Sequence, residues 1–140
     1  MPLSFSTKAA VLVRLKRELH TAQIAPIVFF TVDEWLNDRI ACLYKVTSTL
    51  AEGPWIVRSS CQLEDNSSES NAGAYLTVKN VTAIDLESSI DEVIASYGNA
   101  DTSDEILIQP MLQNVKSSGV MFSHDPSTGS PYRVVSWSEG

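Results

Sequence analysis

The sequence lacks clustered positive charge, paired cysteines and any long apolar run, and each absence excludes a class of protein. Ten Lys and Arg stand against 17 Asp and Glu, a net charge of −7, and no basic run occurs. A nucleic-acid backbone needs Lys and Arg to replace its condensed counterions, so nucleic acid is not an expected partner. Cys42 and Cys61 lie 19 residues apart with no C-x-x-C spacing. Two ordinary thiols in a reducing compartment are expected, without a disulfide framework or a cysteine-built zinc site. The longest apolar run is five residues, Ala9 to Val13, which provides neither a signal peptide nor a membrane span. A cytoplasmic protein with no membrane contact is the expectation. There is no internal repeat, no low-complexity linker, and neither a Walker A nor a G-x-G-x-x-G phosphate loop.

What is present suits a folded core. A chain of 140 residues buries roughly two-thirds of its unfolded surface, and 44% of these residues are hydrophobic. In 7–20, Val11, Leu12, Leu15 and Leu19 recur at helical spacing behind a capping Thr7. Pro26 to Phe30 reads as a buried strand, and Thr31-Val32-Asp33-Glu34 has the order of a capping box, leading into a second helix through Trp35, Leu36, Ile40, Leu43 and Tyr44. Trp55 to Arg58 is strand-like, Ala74 to Lys79 alternates with a period of two, and Leu86 to Tyr97 carries a third helix stopped by Gly98. Three strands complete the chain, in Glu105 to Leu112, Gly119 to Phe122 and Tyr132 to Trp137. The expected architecture is a single α+β domain over 1–140, with a mixed, largely antiparallel sheet flanked by about three helices. Trp35, Trp55, Phe29 and Phe30 are expected in its core, and Asp85, Glu87, Asp91 and Glu92 on a solvated helix face.

Chemistry concentrates after the strand ending in Arg58. A guanidinium held at a strand end suits a bidentate grip on phosphate or carboxylate oxygens, while a salt bridge to nearby Glu64 or Asp65 is the structural alternative. Ser59 to Gly73 is a fifteen-residue polar stretch in which Ser59, Ser60, Ser67, Ser68 and Ser70 offer hydroxyls and Gly73 allows close backbone approach. Cys61 with His20 or His124 as a base has no spacing that makes it a nucleophile. His20 suits a helix C-terminus.

Val57-Arg58-Ser59-Ser60, Glu64-Asp65, Ser70, Ala72-Gly73 and Leu76-Thr77-Val78 together resemble a signature of the nucleotide-binding domain of the phosphoenolpyruvate synthase and pyruvate phosphate dikinase family. Ser6-Thr7-Lys8-Ala9 resembles that family's glycine-glycine-lysine segment, with Ser6-Thr7 in place of the paired glycines. Ile108-Gln109-Pro110-Met111 and Ser118-Gly119-Val120-Met121-Phe122 through Asp125-Pro126-Ser127-Thr128-Gly129 follow in the family's order. His124 stands where many members have arginine, Cys61 where alanine is usual, and Ser130 to Trp137 is similar to a divergent phosphoenolpyruvate synthase-like branch.

The resemblance implies the N-terminal portion of an ATP-grasp domain, cut near the end of a strand from a larger protein. That protein would move a phosphoryl group from ATP to a histidine on another domain, which serves a third domain interconverting pyruvate and phosphoenolpyruvate. Lys8 and Arg58 match the phosphate-binding cations, with Arg58 in the catalytic role. Ser59 to Gly73, including Ser60, match the phosphate-covering loop, and Gln109 to Met111 the segment beside adenine. Magnesium is implied with its ligands outside this segment, so no residue here is assigned to metal. The isolated 140 residues are expected to be inactive. The alternative is a non-catalytic nucleotide- or partner-binding module, and a homodimer through an exposed sheet edge is a further expectation.

Overall fold

The computed structural model describes residues 7–61, 76–98 and 101–140. The elements are α1 (Lys8–Glu18), β1 (Val28–Thr31), α2 (Val32–Asn37), α3 (Arg39–Thr49), β2 (Trp55–Ser60), β3 (Thr77–Val81), α4 (Leu86–Ser96), β4 (Glu105–Pro110), β5 (Ser117–Phe122) and β6 (Val134–Glu139). Four strands form an antiparallel sheet in the order β1-β4-β2-β3, and β5 and β6 pair as a separate two-stranded sheet. The chain is an α+β protein, as its patterning indicates.

Helices number four where about three are expected, because the second one breaks at Asp38 (φ −152°, ψ 85°). Asp38 ends α2 through its N–H to Glu34 and starts α3 by accepting from the Ala41 N–H at 3.0 Å. A short carboxylate that caps a new helix competes with continuing the old one. The capping box at Thr31 is formed, with the Glu34 N–H donating to Thr31 Oγ1 at 3.1 Å and the Thr31 N–H to Glu34 Oε2 at 2.8 Å. Gly98 follows α4 with φ +68°, the left-handed conformation that suits a glycine there.

Alternation along the strands divides the sheet into two faces. Val28, Phe30, Val57, Ile106 and Ile108 share one face and build a core with Trp35 and Val46 of α2 and α3 and with Leu86, Ile90 and Val93 of α4. Trp35, Trp55 and Phe30 are buried in this core, and Phe29 on the other face is half-buried. The acidic face of α4 is only partly a solvated surface. Asp91 accepts from Trp35 Nε1 at 3.0 Å and from Arg39 Nη1 at 2.9 Å, and Glu87 accepts from the same Arg39 nitrogen at 3.1 Å. Arg39 also lies 5.0 Å above the Trp35 ring. The group thus clamps α2 and α3 to α4 where the indole nitrogen needs a partner.

Ile108 lies opposite Val28 on one side and Val57 on the other, at the middle of the core. Ile108→Ala is expected to lower unfolding free energy by about 2–5 kcal/mol. Urea titration measures this, and a loss well under 1 kcal/mol would show that the site repacks freely.

Candidate functional site

The second face of the sheet carries the residues of interest. Ile56, Arg58 and Ser60 alternate along β2 and lie opposite Gln109, Leu107 and Glu105 of β4. At one end of this row α1 closes the face. The Ala9 N–H donates to Ser60 Oγ at 3.0 Å, and Thr7 Oγ1 donates to Glu105 Oε2 at 2.8 Å while accepting from the Ala10 N–H at 3.3 Å. The Ser60 N–H donates to the Tyr97 hydroxyl at 3.2 Å, and that hydroxyl donates to the Glu105 carbonyl. Thr7, Ser60, Tyr97 and Glu105 thus satisfy one another and the first N–H groups of α1.

At the other end the face opens into a cavity of about 290 Å³. Ile56, Arg58, Gln109 and Met111 line it, with Ala25, Pro110 and Leu112 completing the wall. The Met111 N–H donates to the Pro54 carbonyl at 3.0 Å, which holds the chain against β2 just beyond the end of β4. Met111 Sδ accepts from the Asn80 N–H at 3.4 Å, a weak bond that ties the thioether to β3. Among the described residues no carboxylate forms an ion pair with Arg58. Arg58 is half-buried and lines the cavity.

The structure therefore brings together Arg58, Gln109 and Met111. Lys8 is the first residue of α1, at the Ser60 end of the face, and is not part of the cavity wall. Ser59 and Ser60 belong to β2, not to a loop, and both are buried: Ser59 beside Ile106 on the core side, Ser60 under α1. Gly73, with Glu64, Asp65, Ser67, Ser68 and Ser70, lies outside the described residues. Ile56 was available from the period of β2, which sets it on the same side as Arg58. Ala25 and the Thr7–Glu105–Tyr97–Ser60 group had no sequence signal, because contacts between residues up to 98 positions apart depend on the sheet order.

A second cavity of about 300 Å³ lies beside α2 and α3, over Phe30 and Cys42. Its charged rim is turned to the protein: Glu34 caps α2, Asp38 caps α3, and Lys45 Nζ donates to the Phe29 carbonyl at 3.0 Å. Burial first, and then the Glu34 carboxylate, push the Cys42 thiol above its ordinary value. Cys61 is buried at the end of β2, while His20 is exposed beyond α1 and His124 is exposed beside Ser123. Among the described residues no three His, Cys, Asp or Glu side chains gather as a metal site, and no helix is long and apolar enough to cross a membrane.

No protein-family model matches the chain, and no match is found among curated proteins or solved structures.

Two predictions follow from these contacts. Ser60→Ala leaves the Ala9 N–H buried without a partner, at an expected cost of about 1–3 kcal/mol. The loss should appear as faster amide exchange in the first turn of α1; unchanged exchange would mean that Ser60 does not hold the helix. For Cys42, the thiol form is favoured by folding, so its contribution to stability is fully present below the unfolded thiol pKa and is lost as pH rises through the higher folded one. Alkylation at about pH 8.5, where an unperturbed thiol is half ionised, should be slower in the folded protein than in urea. Equal rates would contradict the upward shift.

Proposed function

We propose that this chain is the ATP-binding portion of a phosphotransferase of the phosphoenolpyruvate synthase and pyruvate phosphate dikinase kind, with an ATP-grasp nucleotide site. The observation that supports it is the convergence of Arg58, Gln109 and Met111 on one cavity, since these residues match separate segments of that family's pattern. The cavity, at about 290 Å³, falls near the small end of the range for ligand pockets, ~300–1,000 Å³. It suits a nucleobase and not a whole nucleotide. Ile56 and Met111 provide apolar surface for the base, and Gln109 provides an amide for its edge.

Arg58 lies one rung closer to α1 than Ile56 and Gln109, so phosphates leaving the cavity along β2 would meet its guanidinium first and then the Lys8 end of the face. Two strand residues cover about 7 Å, a step on the scale of a phosphate chain. In this reading Arg58 binds phosphate oxygens through its planar fork, and Lys8 adds a second cation. The described residues offer no carboxylate cluster that fits Mg²⁺. The acceptor histidine and the pyruvate or phosphoenolpyruvate domain would be contributed by other parts of the protein.

A non-catalytic nucleotide-binding module is the second reading. It draws support from the start of α1, where Ser60 and Thr7 already satisfy the Ala9 and Ala10 N–H groups and leave them nothing to offer a phosphate.

Calorimetric titration with ATP and with adenosine tests the site. Arg58→Ala is expected to weaken ATP binding by about tenfold or more while leaving adenosine binding unchanged, because a charge-assisted hydrogen bond contributes about 1.5–3 kcal/mol. Arg58→Lys should recover only part of the loss, since the bidentate geometry is gone. Absence of adenosine binding, or equal effects on both ligands, would overturn the assignment. Histidine phosphorylation from ATP in a protein carrying the acceptor domain separates the two readings: the phosphotransferase reading requires it and requires Arg58 for it.

A further inference from the structure

The last two strands form a sheet of their own, and among the described residues β6 has a single neighbour, β5. The Gly140 N–H donates to the Lys116 carbonyl at 3.1 Å, in the same register that pairs Ser138 with Ser118 and Ser136 with Val120. In an antiparallel ladder the hydrogen-bonded pairs alternate. The backbone groups of Val134, Ser136 and Ser138 therefore face β5, and those of Val135, Trp137 and Glu139 face the open edge.

The strand's own residues, and the other described ones, give this edge none of the usual protections. No proline or lysine interrupts Val134–Glu139, and its only charge is the terminal Glu139. The side chains beside it are apolar and exposed: Val135 at 57%, Trp137 at 65% and, across the hairpin, Met121 at 70%. A two-stranded sheet with so much exposed apolar surface is marginal in water on its own.

We infer that β6 is a homodimerisation edge, pairing antiparallel with β6 of a second copy about a two-fold axis through Ser136. The sequence around Ser136 is self-complementary in this register. Val135 lies opposite the partner's Trp137, and Trp137 opposite the partner's Val135, an aromatic and β-branched pair of the kind that stabilises antiparallel sheets. Arg133 lies opposite the partner's Glu139, and Glu139 opposite the partner's Arg133. Neither residue has an ion-pair partner among the described residues. The outward N–H and C=O groups of Val135 and Trp137 meet those of the partner's Trp137 and Val135, so the hydrogen-bonding phase and the side-chain pairing select the same register. Sliding by two residues in one direction sets Glu139 against the partner's Val135 and loses both charge pairs. The result is a four-stranded sheet whose Met121, Val135 and Trp137 side chains form one apolar face across the axis, closed by isologous symmetry. The inference does not depend on the nucleotide reading, which uses other residues.

Sedimentation equilibrium on the 140-residue chain tests it. The wild type is expected to show a concentration-dependent monomer–dimer equilibrium. Arg133→Glu and Glu139→Arg, which each place like charges opposite one another at both ends, should each weaken association by about tenfold. An equimolar mixture of the two variants should regain wild-type affinity, because the heterodimer restores both opposite-charge pairs. Val135→Pro, which removes an outward N–H without removing a bond to β5, should abolish the dimer; circular dichroism checks that the fold is kept. Amide exchange at Val135 and Trp137 should slow with concentration, whereas Ser136, already bonded to β5, should not respond. A wild type that stays monomeric would overturn the proposal. So would a dimer that the two charge reversals fail to complement, or exchange at Val135 and Trp137 that ignores concentration.

Discussion

The pairing of β4 with β2 is the constraint on which core and candidate site both rest. Ile106 and Ile108 of β4 and Val57 of β2 face the helices, and Gln109 and Arg58 face the cavity side. Because side chains alternate with a period of two, a slip of one residue would turn Arg58 and Gln109 into the core and expose the aliphatic set. The energetic penalty for burying a guanidinium without a partner makes that slip prohibitive. The site is thus held in place by the same preference that forms the core. β1 reinforces the arrangement from the other side, where Val28 and Phe30 flank Ile108 and Ile106.

Local signals carried much of this architecture. The Thr31 capping box, Gly98 after α4 and the alternation in β2 are each decided by residues within a few positions, and each appears where its chemistry requires. The break at Asp38 was less legible, since Trp35, Leu36, Ile40 and Leu43 keep helical spacing across it and only the Asn37-Asp38 pair hints at a cap. β2 runs two residues past Arg58, where its apolar pattern ends: serines resemble a loop in composition, yet Ser60 is drawn into the sheet by the Ala9 N–H and the Tyr97 hydroxyl. Those partners lie 51 and 37 positions away, beyond what periodicity reports. Arg58 and Gln109 were identifiable as candidates separately, but their common cavity depends on the β2–β4 register.

The acidic surplus of the chain has a structural use as well as a solvent-facing one. Asp91 satisfies the Trp35 indole and, with Glu87, holds Arg39 over the same ring. A large aromatic side chain can then be fully buried at the edge of the core without leaving its nitrogen unpaired. Charge is matched within this cluster, and a negative total is compatible with a cation at the cavity on the opposite face.

The hydrogen bonds that join α1 to the sheet lie at its first turn, through Thr7 to Glu105 and Ala9 to Ser60, while Leu19 at its far end is exposed. These bonds set the fulcrum for any tilt of α1 at residues 7–9. Displacement in any tilt about that fulcrum grows with distance, at about 1.5 Å of arm per residue, so it is smallest at the backbone of Lys8 and largest at the exposed C-terminal turn. The backbone that carries Lys8 therefore stays in register with Ser60, two residues along β2 from Arg58.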